Sequence, residues 1–205
     1  MGSEMCIRDS MRRVYAYLTK SRYIAPEIVQ DFVDRKMLYQ DVNGNCVFVA
    51  YDSEGKPNFA SLRGTLSDVR FLGDLEGCDY KKGFCINNQS EKLIVTESVI
   101  DAMSVMTILQ AQGKDWKAYD YLPLGGTGKY EPVLNLLKEH PKQEIHLAED
   151  HDLSGVESMQ HIQELLKKEG MPVEQIYCHV PENAKDWNEA LMNLSLIHIS
   201  EPTRP

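Results

Sequence analysis

Residues 90–193 alternate β-rich and helical stretches four times over, and this narrows the fold more than any other feature of the 205-residue chain. Leu93 to Thr96, Tyr119 to Leu124, Glu144 to Ala148 and Gln175 to Val180 are short apolar or β-rich runs. Between and after them, Val99 to Gln110, Tyr130 to Glu139, Gly155 to Glu169 and Trp187 to Met192 have helical character. Parallel strands cannot be joined by a tight hairpin, so each helix must carry the chain back across a face of the sheet. The expectation is an α/β fold with a mainly parallel sheet flanked by helices. In such sheets functional groups gather just beyond the carboxyl ends of the strands.

Those ends are acidic. The first strand runs into Glu97-Ser98, and Asp101 follows four positions after Glu97, on the same face if the helix has begun. The third strand ends in Glu149-Asp150-His151-Asp152, followed by Leu153-Ser154-Gly155. In Asp-x-Asp the alternate side chains can converge on one hard cation, which relieves the repulsion between carboxylates held close together. Turns favour Asp for their own reasons. The motif therefore draws its weight from Glu97 at an equivalent strand end.

Other motifs fit their chemistry poorly. Gly125-Gly126-Thr127-Gly128-Lys129 invites a phosphate-loop reading, but the first glycine of that loop would fall at Pro123, and Tyr130 stands where a Ser or Thr should hold Mg2+. The segment is read as a turn bringing backbone near the substrate, with Lys129 directed at phosphate. Cys78 and Cys85 lack a matching second pair, which argues against zinc. His146 is expected as a packed or edge residue of its strand, not a ligand, and His151 as pointing away from the Asp pair. Lys185-Asp186-Trp187-Asn188 follows the last strand and reads as a helix cap, or with Lys185 as a phosphate or carboxylate partner.

The preceding segment is chemically different. Residues 11–89 carry 11 basic and 10 acidic side chains, whereas residues 90–193 carry 9 and 18. Arg12, Arg13, Arg22, Arg35, Arg63 and Arg70 all fall in the first of these. Arginine grips phosphate bidentately, so polyanion contact is expected there, with surface ion pairing as the alternative. A helix is expected around Arg13 to Lys20 and a second after Ala25, with Pro26 at its first position and apolar residues Ile28, Val29, Phe32, Val33 and Leu38 at helical spacing. Cys46 to Tyr51 and Phe59 to Arg63 read as strands joined by a turn over Asp52 to Pro57, and Gly73 to Ser90 as a loop or weak hairpin. This is a smaller N-terminal α+β module.

A net charge of −9 argues against coating nucleic acid by bulk charge, so any contact must be local. No apolar run is long enough to span a membrane. Five cysteines without a framework suit a reducing compartment, and a cytoplasmic protein is expected. The termini stand apart. Residues 2–9 and 194–202 can be encoded by the two strands of one inverted repeat, resembling a sequencing adapter translated at both ends. Residues 1–10 and 194–205 are therefore set aside as artefactual tails, and the natural chain is expected to have been cut at both ends.

Taken together, Glu97 to Ala102, the Gly125-Gly126 pair and Asp150 to Gly155 resemble a TOPRIM domain, the metal-binding fold of bacterial primases, topoisomerases and some nucleases. The segment containing Met11 to Leu18 and Ala60 to Gly64 is similar to the uncharacterised domain preceding TOPRIM in primase-like proteins of plasmids and conjugative elements. The resemblance implies that Glu97 is a general acid/base or metal ligand, that Asp150 and Asp152 hold Mg2+ or alternatively Mn2+, and that Asp101 supports the metal. It implies partners in DNA, single-stranded above all, in nucleotides, and in replication or mobilisation proteins of a mobile element. Arg63, Lys129 and Lys185 are the expected phosphate-binding residues. The pattern usually has a basic residue soon after the second Asp, where this chain has Leu153-Ser154. Primer synthesis, DNA hydrolysis by a nuclease, and a non-catalytic nucleic-acid binding module are thus three separate expectations.

Overall fold

The computed structural model describes residues 11–66, 71–126 and 128–200, with side chains as far as Ser195. Arg70 and Thr127, together with the terminal segments 1–10 and 201–205, lie outside the described residues. The chain divides into two compact units, Met1–Tyr80 and Lys81–Pro205.

In the first unit, helix α1 (Arg12–Ala16) passes into a π-helical turn, Tyr17–Ser21. Gln40 caps α1 from a distant strand, its Oε1 accepting the backbone N–H groups of Arg13 and Val14 at 3.1 Å. Helix α2 (Pro26–Asp34) starts as expected, with Ala25 extended before it and Pro26 in its first turn, and buries Ile28, Val29 and Phe32. It does not reach Leu38. Lys36 takes a left-handed φ of 58° and the Met37 amide returns to the Phe32 carbonyl at 2.8 Å, a Schellman closure built without glycine. Leu38 instead opens strand β1 (Leu38–Gln40), opposite Phe48.

Strands β2 (Cys46–Tyr51), β3 (Pro57–Arg63) and β4 (Leu72–Asp74) complete an antiparallel sheet in the order β1-β2-β3-β4. Cys46, Phe48 and Ala50 face inward with the two-residue period of a half-buried strand. The turn between β2 and β3 closes as read from sequence, with Asp52 Oδ1 accepting the amides of Glu54 and Lys56 and Gly55 at φ 76°. Strand β4 overlaps the start of the stretch expected as a loop or weak hairpin.

The second unit is the expected parallel sheet. Strands β5 (Lys92–Thr96), β6 (Asp120–Pro123), β7 (Glu144–Ala148) and β8 (Ile176–His179) lie in the order β6-β5-β7-β8, all neighbours parallel. Leu93, Val95, Leu122, Ile145, Leu147 and Ile176 form one face. They pack with Val133 of helix α4 (Glu131–Glu139) and with Met159, Ile162 and Leu166 of helix α5 (Leu153–Lys168). Helix α3 (Val99–Ala111), buried almost all round, packs against β5, β6 and helix α6 (Trp187–Ser200). Helix α6 runs beyond Met192 into residues that the sequence reading set aside as tail.

Lys81–Ser90 belongs to this second unit. Ile86 is fully buried and pairs with Tyr121, and the amides of Asn88 and Ser90 donate to Asp120 Oδ1 at 2.7 and 3.1 Å. Lys142 Nζ meets the other Asp120 oxygen at 2.5 Å, so this buried acid is fully satisfied.

Candidate functional site

The parallel sheet brings the carboxyl ends of β5 and β7 side by side, with Thr96 in register with Ala148. The acidic residues leave the sheet at these two ends. After β5, the Leu124 amide still donates to the Thr96 carbonyl at 2.8 Å, and the Gly125 and Gly126 amides both donate to the Glu97 carbonyl, at 2.8 and 3.2 Å. Both glycines have positive φ, 72° and 128°, which lets two successive N–H groups turn onto one oxygen. The Gly-Gly pair therefore fixes the backbone of Glu97. Lys129 Nζ folds back onto the Gly125 carbonyl at 3.0 Å.

Ser98 is the N-cap of α3, and its Oγ accepts the Asp101 amide at 3.3 Å while its hydroxyl donates to Asp101 Oδ2 at 2.5 Å. Asp101 is thereby buried, facing the site from the first turn of the helix.

After β7, Asp152 caps α5, its Oδ1 accepting the Gly155 amide at 2.9 Å. The loop is tight enough that a Cβ on Gly155 would lie 2.3 Å from the Asp150 carbonyl oxygen. Glu149 is fully buried, Asp150 half-buried, and His151 exposed. Burial pushes the Asp150 carboxyl up to about 8, assisted by the negative charges of Asp101, Glu97, Asp186 and Asp152. Burial also pushes Glu149 up to about 8, with Glu97 and Asp101 adding to the effect.

The segment before α6 locks onto this loop. The His151 amide donates to the Lys185 carbonyl at 2.8 Å, and the Trp187 indole N–H donates to the Ala148 carbonyl at 3.0 Å. Asn188, almost wholly buried, donates to Ser104 Oγ of α3 at 3.0 Å. Asp186 Oδ1 accepts the Glu189 amide at 2.7 Å, and Glu189 Oε2 accepts the Lys185 amide at 2.6 Å. Lys185-Asp186-Trp187-Asn188 thus works as a cap and docking motif that also sets Asp186 beside Asp150.

Glu97, Asp101, Asp150 and Asp152 therefore share one edge, together with Glu149, which the acidic run after β7 already marks as a weaker candidate, and Asp186, to which the sequence gives no role. Asp186 is masked in sequence by its cap position. Among the described residues no three His, Cys, Asp or Glu side chains already converge closely enough to enclose an ion. The donor set nonetheless suits a hard divalent cation: it is all carboxylate, and Asp150 Oδ1 is buried without a hydrogen-bond partner.

The remaining candidates lie elsewhere. Arg63 ends β3 in the first unit, opposite Cys46, where its charge partly offsets the burial that pushes that thiol up to about 12. Arg13 donates to the Asn43 carbonyl, Arg22 to the Tyr17 hydroxyl, and Arg35 pairs with Asp31 at 3.4 Å. These three follow the ion-pair and packing alternative more than the phosphate one. His146 packs within the sheet as expected, hydrogen-bonded to His179 at 3.0 Å and stacked on Tyr177.

Comparison with known proteins identifies both segments by family and the chain by fold. Residues 16–92 match the family described as "Protein of unknown function (DUF3991)", and residues 94–191 match the family described as "Toprim-like". No curated protein matches the chain in sequence. Among solved structures, the primase fragment of the bacteriophage T7 primase-helicase protein is similar at 20% identity and a TM-score of 0.61, covering 87% of this chain and 70% of that one. The E. coli primase catalytic core is similar at 13% identity and a TM-score of 0.60, covering 94% and 74%. A DnaG primase catalytic domain bound to ssDNA is similar at 14% identity and a TM-score of 0.59, covering 98% and 76%. The chain thus carries a Toprim-like domain, preceded by a domain of the DUF3991 family, in a fold shared with primase catalytic cores.

Proposed function

We propose that this chain is a primase-like protein that carries out divalent-cation-dependent nucleotidyl transfer on DNA, with the acidic edge of its parallel sheet as the reaction site. One observation carries this reading. The charges acting most strongly on the half-buried Asp150 come from four other carboxylates, Asp101, Glu97, Asp186 and Asp152, so the site calls for positive charge from outside the protein. Primase-fold relatives include one bound to ssDNA and one in complex with a double-stranded DNA oligomer bearing a 6-nucleotide overhang, which supports DNA as the substrate.

Asp150 and Asp152 would hold Mg2+, or Mn2+ in its place, with Glu97 beside them and Asp101 supporting from α3. When bound, such an ion neutralises developing phosphoryl charge and polarises the reacting oxygens. Glu97 is suited to hold or move a proton on the attacking hydroxyl because its backbone is clamped by two glycine amides. Asp152 has one oxygen committed to the helix cap, which orients its carboxylate. Lys129 and Lys185, which follow the ends of β6 and β8, would meet phosphate, and Arg63 would contact nucleic acid from the DUF3991 unit. A cytoplasmic setting and an origin in a mobile element belong to the same proposal. No described helix is long and apolar enough to cross a membrane.

Hydrolysis is the second reading, and Leu153 favours it. The position where the resemblance expects a base is here an apolar side chain 76% exposed to solvent, so it offers no charge to an incoming nucleotide. Incubation with a single-stranded template, nucleoside triphosphates and Mg2+ separates the readings. New oligonucleotides that are absent with Asp150→Asn support primer synthesis, and shortened template supports a nuclease. DNA binding without either product, unchanged by Asp150→Asn, overturns both and leaves a binding module.

A further inference from the structure

We propose that Glu149, the residue before the Asp-x-Asp motif, is itself a ligand of the divalent cation, so that the third strand end supplies Glu149 together with Asp150 and Asp152. This rests on the cation-dependent reading above and adds a residue to it. Other buried acids of this chain have partners. Asp120 is buried, and it is met by two backbone amides and the Lys142 ammonium. Asp101 is buried, and it is met by the Ser98 hydroxyl. Glu149 is fully buried, and neither of its oxygens has a hydrogen-bond partner.

Unpartnered buried side-chain oxygens are few among the described residues. Those of Asn58 and Gln110 belong to neutral amides; the other three are both oxygens of Glu149 and one of Asp150. All the carboxylate oxygens of this kind therefore fall on two successive residues at one strand end. Buried polar groups are satisfied as a rule, and a buried carboxylate without a partner is the costliest exception. The exception here has a direction. The charges that act on Glu149 are those of Glu97 and Asp101, both negative, and no protein cation is among them. A hard divalent cation among these acids supplies the positive charge that the protein itself does not bring to Glu149. The position is rigid enough for a ligand: the carbonyl of the preceding Ala148 is held by the Trp187 indole, and the Asp150 carbonyl is pressed against Gly155.

The test is calorimetric titration of the full 205-residue chain with MgCl2 and with MnCl2. It compares wild type, Glu149→Gln, Asp150→Asn and, as a control for bulk charge, the exposed Glu164→Gln. Glu149→Gln is expected to weaken the cation by about tenfold or more, the range seen when groups supporting a metal are removed, while Glu164→Gln stays within about twofold of wild type. In EDTA, Glu149→Gln is expected to melt at or above the wild-type temperature, because a buried acid facing Glu97 and Asp101 has gone, and Mg2+ no longer raises its Tm as it does for wild type. If Asp150→Asn abolishes binding and Glu149→Gln leaves it intact, the Glu149 assignment falls and the cation site stands. If wild type binds neither ion, the functional reading itself falls and the assignment with it. A Glu149→Gln chain that fails to fold also overturns the assignment, since it makes the carboxylate a structural requirement of the cation-free protein.

Discussion

Gly155 shows how closely single atoms are set at this site. A methyl group there would stand 2.3 Å from the Asp150 carbonyl oxygen, so Gly155→Ala must push back the loop that carries Asp150. Overpacking of this kind costs roughly 1–3 kcal/mol, and urea denaturation should find the loss. Cation affinity should fall as well, because the displaced backbone belongs to a proposed ligand. A second prediction concerns pH. Glu149 and Asp150 are both raised to about 8 in the folded chain, above the ordinary carboxyl range near 4 that they regain on unfolding. Between those values the folded state binds more protons than the unfolded one. Their contribution to stability is therefore complete in acid and lost as pH rises through about 8. In EDTA the urea midpoint should fall from pH 5 to pH 8.5 if these groups dominate, Asp150→Asn should flatten the slope, and added Mg2+ should restore stability at the alkaline end. Glu97, Asp150 and Asp152 are legible in sequence because strand ends in a parallel sheet are where chemistry collects. Glu149 is legible only as a member of the acidic run, since burial is what distinguishes it, and Asp186 is hidden as a helix cap.

At the scale of elements, periodicity carries far in the second unit. Its four strands and the starts of its four helices lie close to where the apolar pattern puts them, because strands buried on both faces, such as β5, leave uninterrupted runs like Leu-Ile-Val; α6 alone runs well past its expected end at Met192. The failures come where local geometry has no residue marker. Helix α2 ends on Lys36 in a left-handed conformation that glycine usually takes, so the apolar spacing runs on misleadingly to Leu38. Strands β1 and β4 span only three residues each, too few to show a period. The docking of α6 gives the prediction at this scale. The Trp187 indole N–H holds the Ala148 carbonyl at the very end of β7. Trp187→Phe keeps an aromatic ring but deletes that donor, at about 0.5–1.5 kcal/mol. If α6 serves to fix the acidic loop, cation affinity measured by calorimetry should drop along with the urea midpoint. A drop in the midpoint alone would make α6 a packing element only.

For the whole molecule, the division of labour seen in composition, arginines before residue 90 and excess carboxylate after it, must be matched to where the chain divides in space. The chain divides into its two compact units between Tyr80 and Lys81, whereas the change in sequence character places the boundary at Ser90. The difference is physical. Residues 81–89 read as loop because they lack periodicity, yet they place the fully buried Ile86 against Tyr121 and lend the Asn88 amide to the buried Asp120. A chain of residues 81–200 should therefore fold and bind Mg2+ alone, while residues 90–200 should be much weaker. Loss of Ile86 removes roughly 1.5–3 kcal/mol of burial, and the missing amide takes about another 1 kcal/mol or more, since its acceptor is a charged carboxylate. Urea unfolding of the two fragments measures the difference directly. DNA binding by the same fragments then tests the assignment of the arginines. If the first unit supplies the phosphate contacts, residues 81–200 keep the cation and lose most of the salt-dependent affinity for single-stranded DNA. If that affinity survives in the fragment, Lys129 and Lys185 carry it, and Arg63 is an ordinary residue of β3.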